Sequence, residues 1–168
     1  MGGFAENTSV SVEKTRLELE RVLRNYGAMK QGVFYDDIAG LAIVSFEIAI
    51  RAAHDPISAP APKRAVCLRI PLPRLGDRRF LFDERKRTHR PPEKQRTLWE
   101  QACRSRWRCI LLLVKAKLET VSSGASTLER EFLADLKLAD GRTVHEVLER
   151  SFRGESAGPL LLPAGEPS

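Results

Sequence analysis

The residues of this chain that could move protons, hold metal or attack bonds are few and scattered. Asp36 and Asp37 precede Gly40, Glu47 follows, and Glu84-Arg85-Lys86 forms an acid-x-lysine triplet. Metal-dependent nucleases combine a strand-borne acid with such a triplet, so that the carboxylates hold Mg²⁺ and water is activated beside them. Here the residue two beyond Glu47 is Ala49 instead of lysine, and Glu84 falls in a predicted loop. The pattern is broken, and Asp36-Asp37 reads as turn chemistry. His54, His89 and His145 lie far apart, none at metal-ligand spacing from a cysteine or another histidine. Cys103 and Cys109 fall on different faces of a predicted helix, and Cys67 reads as a small core residue. None of the 11 glycines is spaced as a phosphate loop or dinucleotide fingerprint, and no nucleophile elbow is present. No catalytic residue, metal or cofactor is assigned from the sequence, and a metal-dependent nuclease is kept only as the enzymatic alternative.

The chemistry the sequence does concentrate is charge. The 168 residues carry 28 Lys and Arg against 22 Asp and Glu, a net charge of +6. Between Lys63 and Arg108 there are 15 cations and 5 acids, hence +10, so the remainder, with 13 and 17, stands at −4. Most cations of the block are arginine, whose planar fork suits phosphate and carboxylate. Phe80, Phe82, Trp99 and Trp107 are interleaved, as rings are in proteins that stack single-stranded bases. The block is expected to form one contiguous cationic surface. Arg78, Arg79, Arg85, Lys86, Arg87 and Arg90 are its candidate phosphate ligands and Phe82 its candidate stacking ring. Arg104 and Arg108 share a helix face, and Glu100 is the expected partner of Arg104.

These residues need elements to hold them. Ser11 caps a predicted helix to about Tyr26, with Leu19, Val22, Leu23 and Tyr26 as one stripe and Gly27 as a left-handed stop. Gln31–Tyr35, Leu41–Ile50 and Ala65–Leu72 read as strands, the second alternating cleanly through Ala42, Val44, Phe46, Ile48 and Ile50. The prolines between the second and third forbid a central strand there. Residues 74–91 read as a loop. Pro91-Pro92 opens a long helix with a stripe through Trp99, Cys103, Ile110, Val114 and Leu118, apolar all round from Cys109 to Val114 and ended by Ser122-Ser123-Gly124. Ser126 with Glu129 predicts a capping box for a short helix, Asp135–Ala139 a fourth strand, and Thr143 with Glu146 a capping box for a last helix. The fold class is α+β: a three- to four-stranded antiparallel sheet packed on an N-terminal helix and a long central helix. Residues 1–10 are read as a flexible lead, 11–153 as one domain, and 154–168 as a flexible Pro/Gly-rich tail in which Leu160-Leu161-Leu162 stands out.

No apolar run reaches the roughly 18 residues of a membrane span, and the first residues lack the basic and apolar regions of a signal peptide. With three cysteines, a cytoplasmic protein with reduced thiols is expected. The blocks Ala5-Glu-Asn-Thr-Ser-Val-Ser-Val-Glu-Lys-Thr-Arg, Arg24-Asn-Tyr-Gly-Ala, Ile70-Pro-Leu-Pro, Trp107-Arg-Cys-Ile-Leu-Leu-Leu-Val-Lys-Ala-Lys-Leu-Glu, Glu131-Phe-Leu-Ala and Asp140-Gly-Arg-Thr-Val resemble small uncharacterised proteins of bacteriophages and prophages. The resemblance implies a bacterial host and an accessory phage gene, and brings no activity or catalytic residues. The order helix, three-stranded meander, long helix is also similar to the core of single-strand annealing proteins, an analogy of fold alone. The expected function is non-enzymatic binding of nucleic acid, DNA first, through the arginine-rich segment. The alternative is a protein-interaction module that inhibits a host defence complex.

Overall fold

The computed structural model describes residues 5, 8–36, 39–49, 61–83 and 88–155. In chain order they form α1 (Val12–Asn25), β1 (Met29–Asp36), β2 (Leu41–Ala49), β3 (Lys63–Pro71), α2 (Arg78–Leu81), α3 (Pro92–Ser122), α4 (Leu128–Glu131), a 3₁₀ turn at Leu133–Asp135, and α5 (Val144–Phe152). The class is α+β, with an antiparallel sheet in the order β1-β2-β3.

The alternation of β2 organises the molecule. Ala42, Val44, Phe46 and Ile48 are buried, while the intervening residues are partly exposed. Their face joins one core with Leu19 and Leu23 of α1 and with Trp107, Ile110, Leu111, Val114 and Leu118 of α3. The Ser11 hydroxyl accepts from the Lys14 N–H to start α1, and Gly27, at φ +80°, lets the chain turn into β1. The helices are clasped by Arg108 on Glu18 at 2.6 Å and by the Tyr26 hydroxyl donating to Glu119. Residues of the lead do not hang free: the carbonyls of Ala5 and Thr8 accept from Ser105 and Gln101 of α3.

Several expectations are corrected. β1 starts at Met29, ahead of the predicted Gln31, because a register shift between Met29 and Gly32, with Lys30 at φ +46°, interrupts the alternation. The predicted fourth strand shrinks to single bridges, Leu136 to Val66 and Lys137 to Thr143. The 3₁₀ turn occupies its start and the Asp140-Gly141 turn, with Gly141 at φ +83°, reverses the chain at its end. α4 is capped by Thr127 in place of Ser126, since the Glu129 carboxylate that would complete the Ser126 box is held by Arg64 at 3.0 Å. The apolar run of α3 is covered on most sides, as its composition predicts: Ile110, Leu111 and Val114 are buried, Cys109 and Leu112 partly so, and only Leu113 is exposed. Ile50, residues 51–60 and the tail beyond Glu155, with Leu160-Leu161-Leu162, lie outside the described residues.

The far end of α3 is held by Lys117, whose ammonium donates to the Glu131 carbonyl at 2.6 Å, lies 4.9 Å from the Phe132 ring centroid, and faces Asp135 at 3.9 Å. α5 opens on the predicted capping box between Thr143 and Glu146, and Glu146 also pairs with Arg69 of β3.

Two stability outcomes follow from these contacts. Thr143→Ala removes the cap of α5 and should lower unfolding free energy by about 1 kcal/mol in urea titration. Burial holds the Asp135 carboxyl above its ordinary value of 3.8, against the pull of Lys117 and His145. A carboxyl raised in the folded state binds protons more tightly there than in the unfolded chain, so its contribution to stability falls as pH rises above 3.8. Asp135→Asn should therefore flatten the pH dependence of stability just above that value, measured by denaturation midpoints across acidic pH.

Candidate functional site

Between β3 and α3 the chain makes an excursion, and its contacts explain how so many arginines are displayed. The Leu72 N–H donates to the Gly40 carbonyl at 2.9 Å, and the Arg74 guanidinium donates to the Ala39 carbonyl at 2.7 Å. The excursion is thus pinned to the β1–β2 turn. Gly40 sits at φ +64°, in the left-handed region that favours glycine, and a Cβ there would come to 3.0 Å from Arg74 Nε, so the guanidinium would have to shift to admit a side chain. From α3, the Trp99 indole N–H donates to the Pro73 carbonyl at 2.8 Å.

The predicted loop is in fact an ordered helix and ribbon. Asp77 accepts from the Arg74 N–H at 3.1 Å and from Arg79 at 3.4 Å, at the head of the single turn α2. Phe80 is buried, with the Arg79 guanidinium 4.6 Å from its ring centroid. Next the chain forms an arm in which Leu81–Asp83 runs antiparallel to Thr88–Arg90. The Asp83 N–H donates to the Thr88 carbonyl at 2.9 Å and the Arg90 N–H to the Leu81 carbonyl at 2.8 Å. Phe82 pairs opposite His89, their ring centroids 4.5 Å apart and tilted by 56°. One turn of helix offers no period to read, and a ribbon this short offers no alternation, so neither was predictable from sequence.

The candidate residues meet different fates. Arg78 is exposed, and its side chain has no hydrogen-bond or ion-pair partner among the described residues. Arg79 is half exposed on its Asp77 and Phe80 supports. Arg90 acts as a brace: its Nη1 donates to the carbonyls of Arg79 at 2.5 Å and Phe80 at 3.4 Å, and its own carbonyl accepts from Gln95 at 2.6 Å. Phe82 is partly buried and has the His89 ring against it. Arg85, Lys86 and Arg87 lie outside the described residues, as does Glu84. The nearest described residues on either side, Asp83 and Thr88, are hydrogen-bonded to each other. Lys94, overlooked in the sequence, is exposed on the first turn of α3 and unpartnered among the described residues. Its place four residues after Arg90, just past Pro91-Pro92, was the available signal.

Most of the rest of the basic block is neutralised, so the expected single cationic surface is corrected to a smaller one; Lys63 on β3 and Arg106 on α3 are exposed and without a side-chain partner among the described residues, but lie outside the excursion. Arg64 pairs with Glu129, Arg69 with Glu146, Arg96 with Glu100 and Arg108 with Glu18. Arg104 bonds Gln101 at 2.6 Å in place of the expected Glu100, which Arg96 already holds at 3.1 Å. Arg79 and Arg104 lie close enough to Cys103 to pull its thiol down, yet burial outweighs them and pushes it up, which disfavours the reactive thiolate.

Of the acids of the nuclease pattern, the described two, Asp36 and Glu47, are not brought together. Asp36 accepts from the Ala39 N–H at 2.8 Å as a turn residue, and Glu47 pairs with Lys30 at 3.0 Å. Asp36 lies opposite Leu41 and Glu47 opposite Met29, ends of the ladder about 20 Å apart at strand rise. Asp37 lies outside the described residues. Among the described residues no group of three or more His, Cys, Asp and Glu is placed to hold a metal ion, and no helix is long and apolar enough to cross a membrane. Comparison of the chain with family models, curated proteins and solved structures finds no match.

If Arg90 braces the arm, Arg90→Ala should raise amide exchange at Asp83 and Arg90 by roughly five- to tenfold, the equivalent of about 1 kcal/mol. Hydrogen-exchange mass spectrometry over this segment reads it, with the core of β2 as the unchanged reference.

Proposed function

We propose that the protein binds nucleic acid without catalysing a reaction on it, using α2 and the arm as a cationic projection. The observation that carries this reading is that the excursion keeps cations open where several others of the basic block are matched, Lys63 and Arg106 being open elsewhere on it. Arg64, Arg69, Arg96 and Arg108 are matched to glutamates, whereas the side chains of Arg78 and Lys94 have no partner among the described residues. Arg79 stands between, tied to Asp77 but half exposed. Arginines presented from a supported backbone meet a phosphate without the full entropic penalty of ordering a free side chain. Arg85, Lys86 and Arg87 add their charge to the same stretch of chain. The phage setting implied by the sequence blocks suits such a role in DNA metabolism and rests on those blocks alone.

Replacing Arg78 and Arg79 together by alanine should weaken DNA binding at low salt by about tenfold or more. It should also reduce the slope of log K against log[salt] by about 2, roughly one unit per lost phosphate contact. Fluorescence anisotropy with labelled DNA at several salt concentrations measures both, and a thermal melt of the variant checks the fold. Undiminished affinity would remove the reading. A protein partner retained from host lysate after nuclease digestion would point instead to a module docked on an acidic protein surface.

A further inference from the structure

The large apolar side chains that the core leaves outside are not spread evenly. Phe152 is the most exposed of them among the described residues, at 86%, and Leu148, four residues before it, is 39% exposed. At that spacing the two share one face of α5. Leu133, on the 3₁₀ turn that packs against this helix, is exposed as well. The Phe152 ring meets no other ring and no cation among the described residues. Phe34, the next most exposed ring, instead lies over Gly32 of its own strand, and Tyr35 beside it is engaged.

The charge around Phe152 decides against a polyanion. From His145 to Glu155 there are three acids, Glu146, Glu149 and Glu155, against Arg150 and Arg153, so a phosphate backbone gains nothing there. What the helix offers is both signs in order. Arg153 pairs with Glu149 one turn earlier, and this pair flanks the Leu148–Phe152 row, while Arg150 falls on another face at helical spacing. The pattern is self-complementary. When two copies of α5 lie antiparallel with Arg150 level with its counterpart, Leu148 of each copy meets Phe152 of the other. Glu149 of each then comes within side-chain reach of Arg153 of the other. The result is an isologous contact with an apolar centre and a charged rim. The edge of β1, where a second copy could otherwise add a strand, is closed. Arg16 donates to the Val33 carbonyl at 2.9 Å, and Lys30 sits at φ +46° in the irregular stretch of the register. We infer that α5 is a self-association surface and that two copies of the chain pair antiparallel through Leu148, Phe152 and the Glu149–Arg153 rim. The apolar centre is small, so the dimer belongs to the weak class.

Sedimentation equilibrium of the full chain tests this, in reductant because Cys103 and Cys109 are only partly buried. The weight-average mass should rise from near the 18.9 kDa of one chain at about 1 μM toward twice that at about 300 μM. Phe152→Ser should weaken the dimer by about tenfold or more, with an unchanged thermal melt because the ring is outside the core. Glu149→Arg and Arg153→Glu should each weaken it as well, and the two together should restore it to within about threefold. A chain that stays monomeric up to about 300 μM would overturn the inference, and so would a dimer that Phe152→Ser leaves intact. A double reversal no tighter than either single one would overturn the antiparallel arrangement.

Discussion

The apolar face of β2 must be covered. Ala42, Val44, Phe46 and Ile48 are essentially inaccessible to solvent, and burying each large side chain of this kind stabilises the fold by about 1.5–3 kcal/mol. A three-stranded sheet cannot bury its own face, so helices have to supply the second layer. α1 brings Leu19 and Leu23 to that layer, α3 brings Trp107, Ile110, Leu111, Val114, Leu118 and Val121, and the C-terminal segment closes it with Phe132, edge-on to Phe46, and with Leu128, Leu136, Val144 and Val147. The clasp between the two helices, Arg108 on Glu18 and Tyr26 on Glu119, joins the layer along its length.

The display of the arm is a consequence of that cover. α3 has 31 residues, about 46 Å at helical rise, and the longest strands have 9, about 30 Å. The buried residues of α3 begin at Trp107, so its first four turns run past the part of the helix that the core needs. α2 and the arm rest against this overhang, using Trp99 on Pro73 and Gln95 on the Arg90 carbonyl as ties. At the other side Arg74 fastens the excursion to the β1–β2 turn. The projection is held at its root from both the sheet and the helix, while Arg78 and Lys94 stay in solvent.

Long periodic elements were legible because one residue pattern dictates them. α1 with its Ser11 cap, the two-residue period of β2, the Pro-Pro start of α3 and the capping box of α5 all appear as read. What escaped the sequence depended on partners elsewhere or on elements too short to have a period. Glu129 has the right spacing to complete a cap with Ser126, but Arg64 takes it from 65 positions away. The Glu18 that neutralises Arg108 lies 90 positions off. The arginines of the site were legible by type and clustering; which of them remained open was not, because that was settled by glutamates from α1, α4 and α5 reaching the block only after the chain had folded.

Those pairs matter more for the field than for stability. An exposed arginine–glutamate pair contributes about 0–1 kcal/mol, too little to explain the fold, yet each one cancels a cation at short range. Screening confines the influence of a surface charge to about 8 Å at physiological salt. A net charge of +6 spread over the chain therefore gives no direction to an approaching polyanion, whereas a local surplus does. From Arg74 to Lys94 there are eight cations against four acids, and Asp77 is already spent on the Arg74 N–H and the Arg79 guanidinium. Pairing on the body of the domain and exposure on the projection act together: neutralising Arg64, Arg69, Arg96 and Arg108 thins the field there, while the excursion keeps a local surplus of cations.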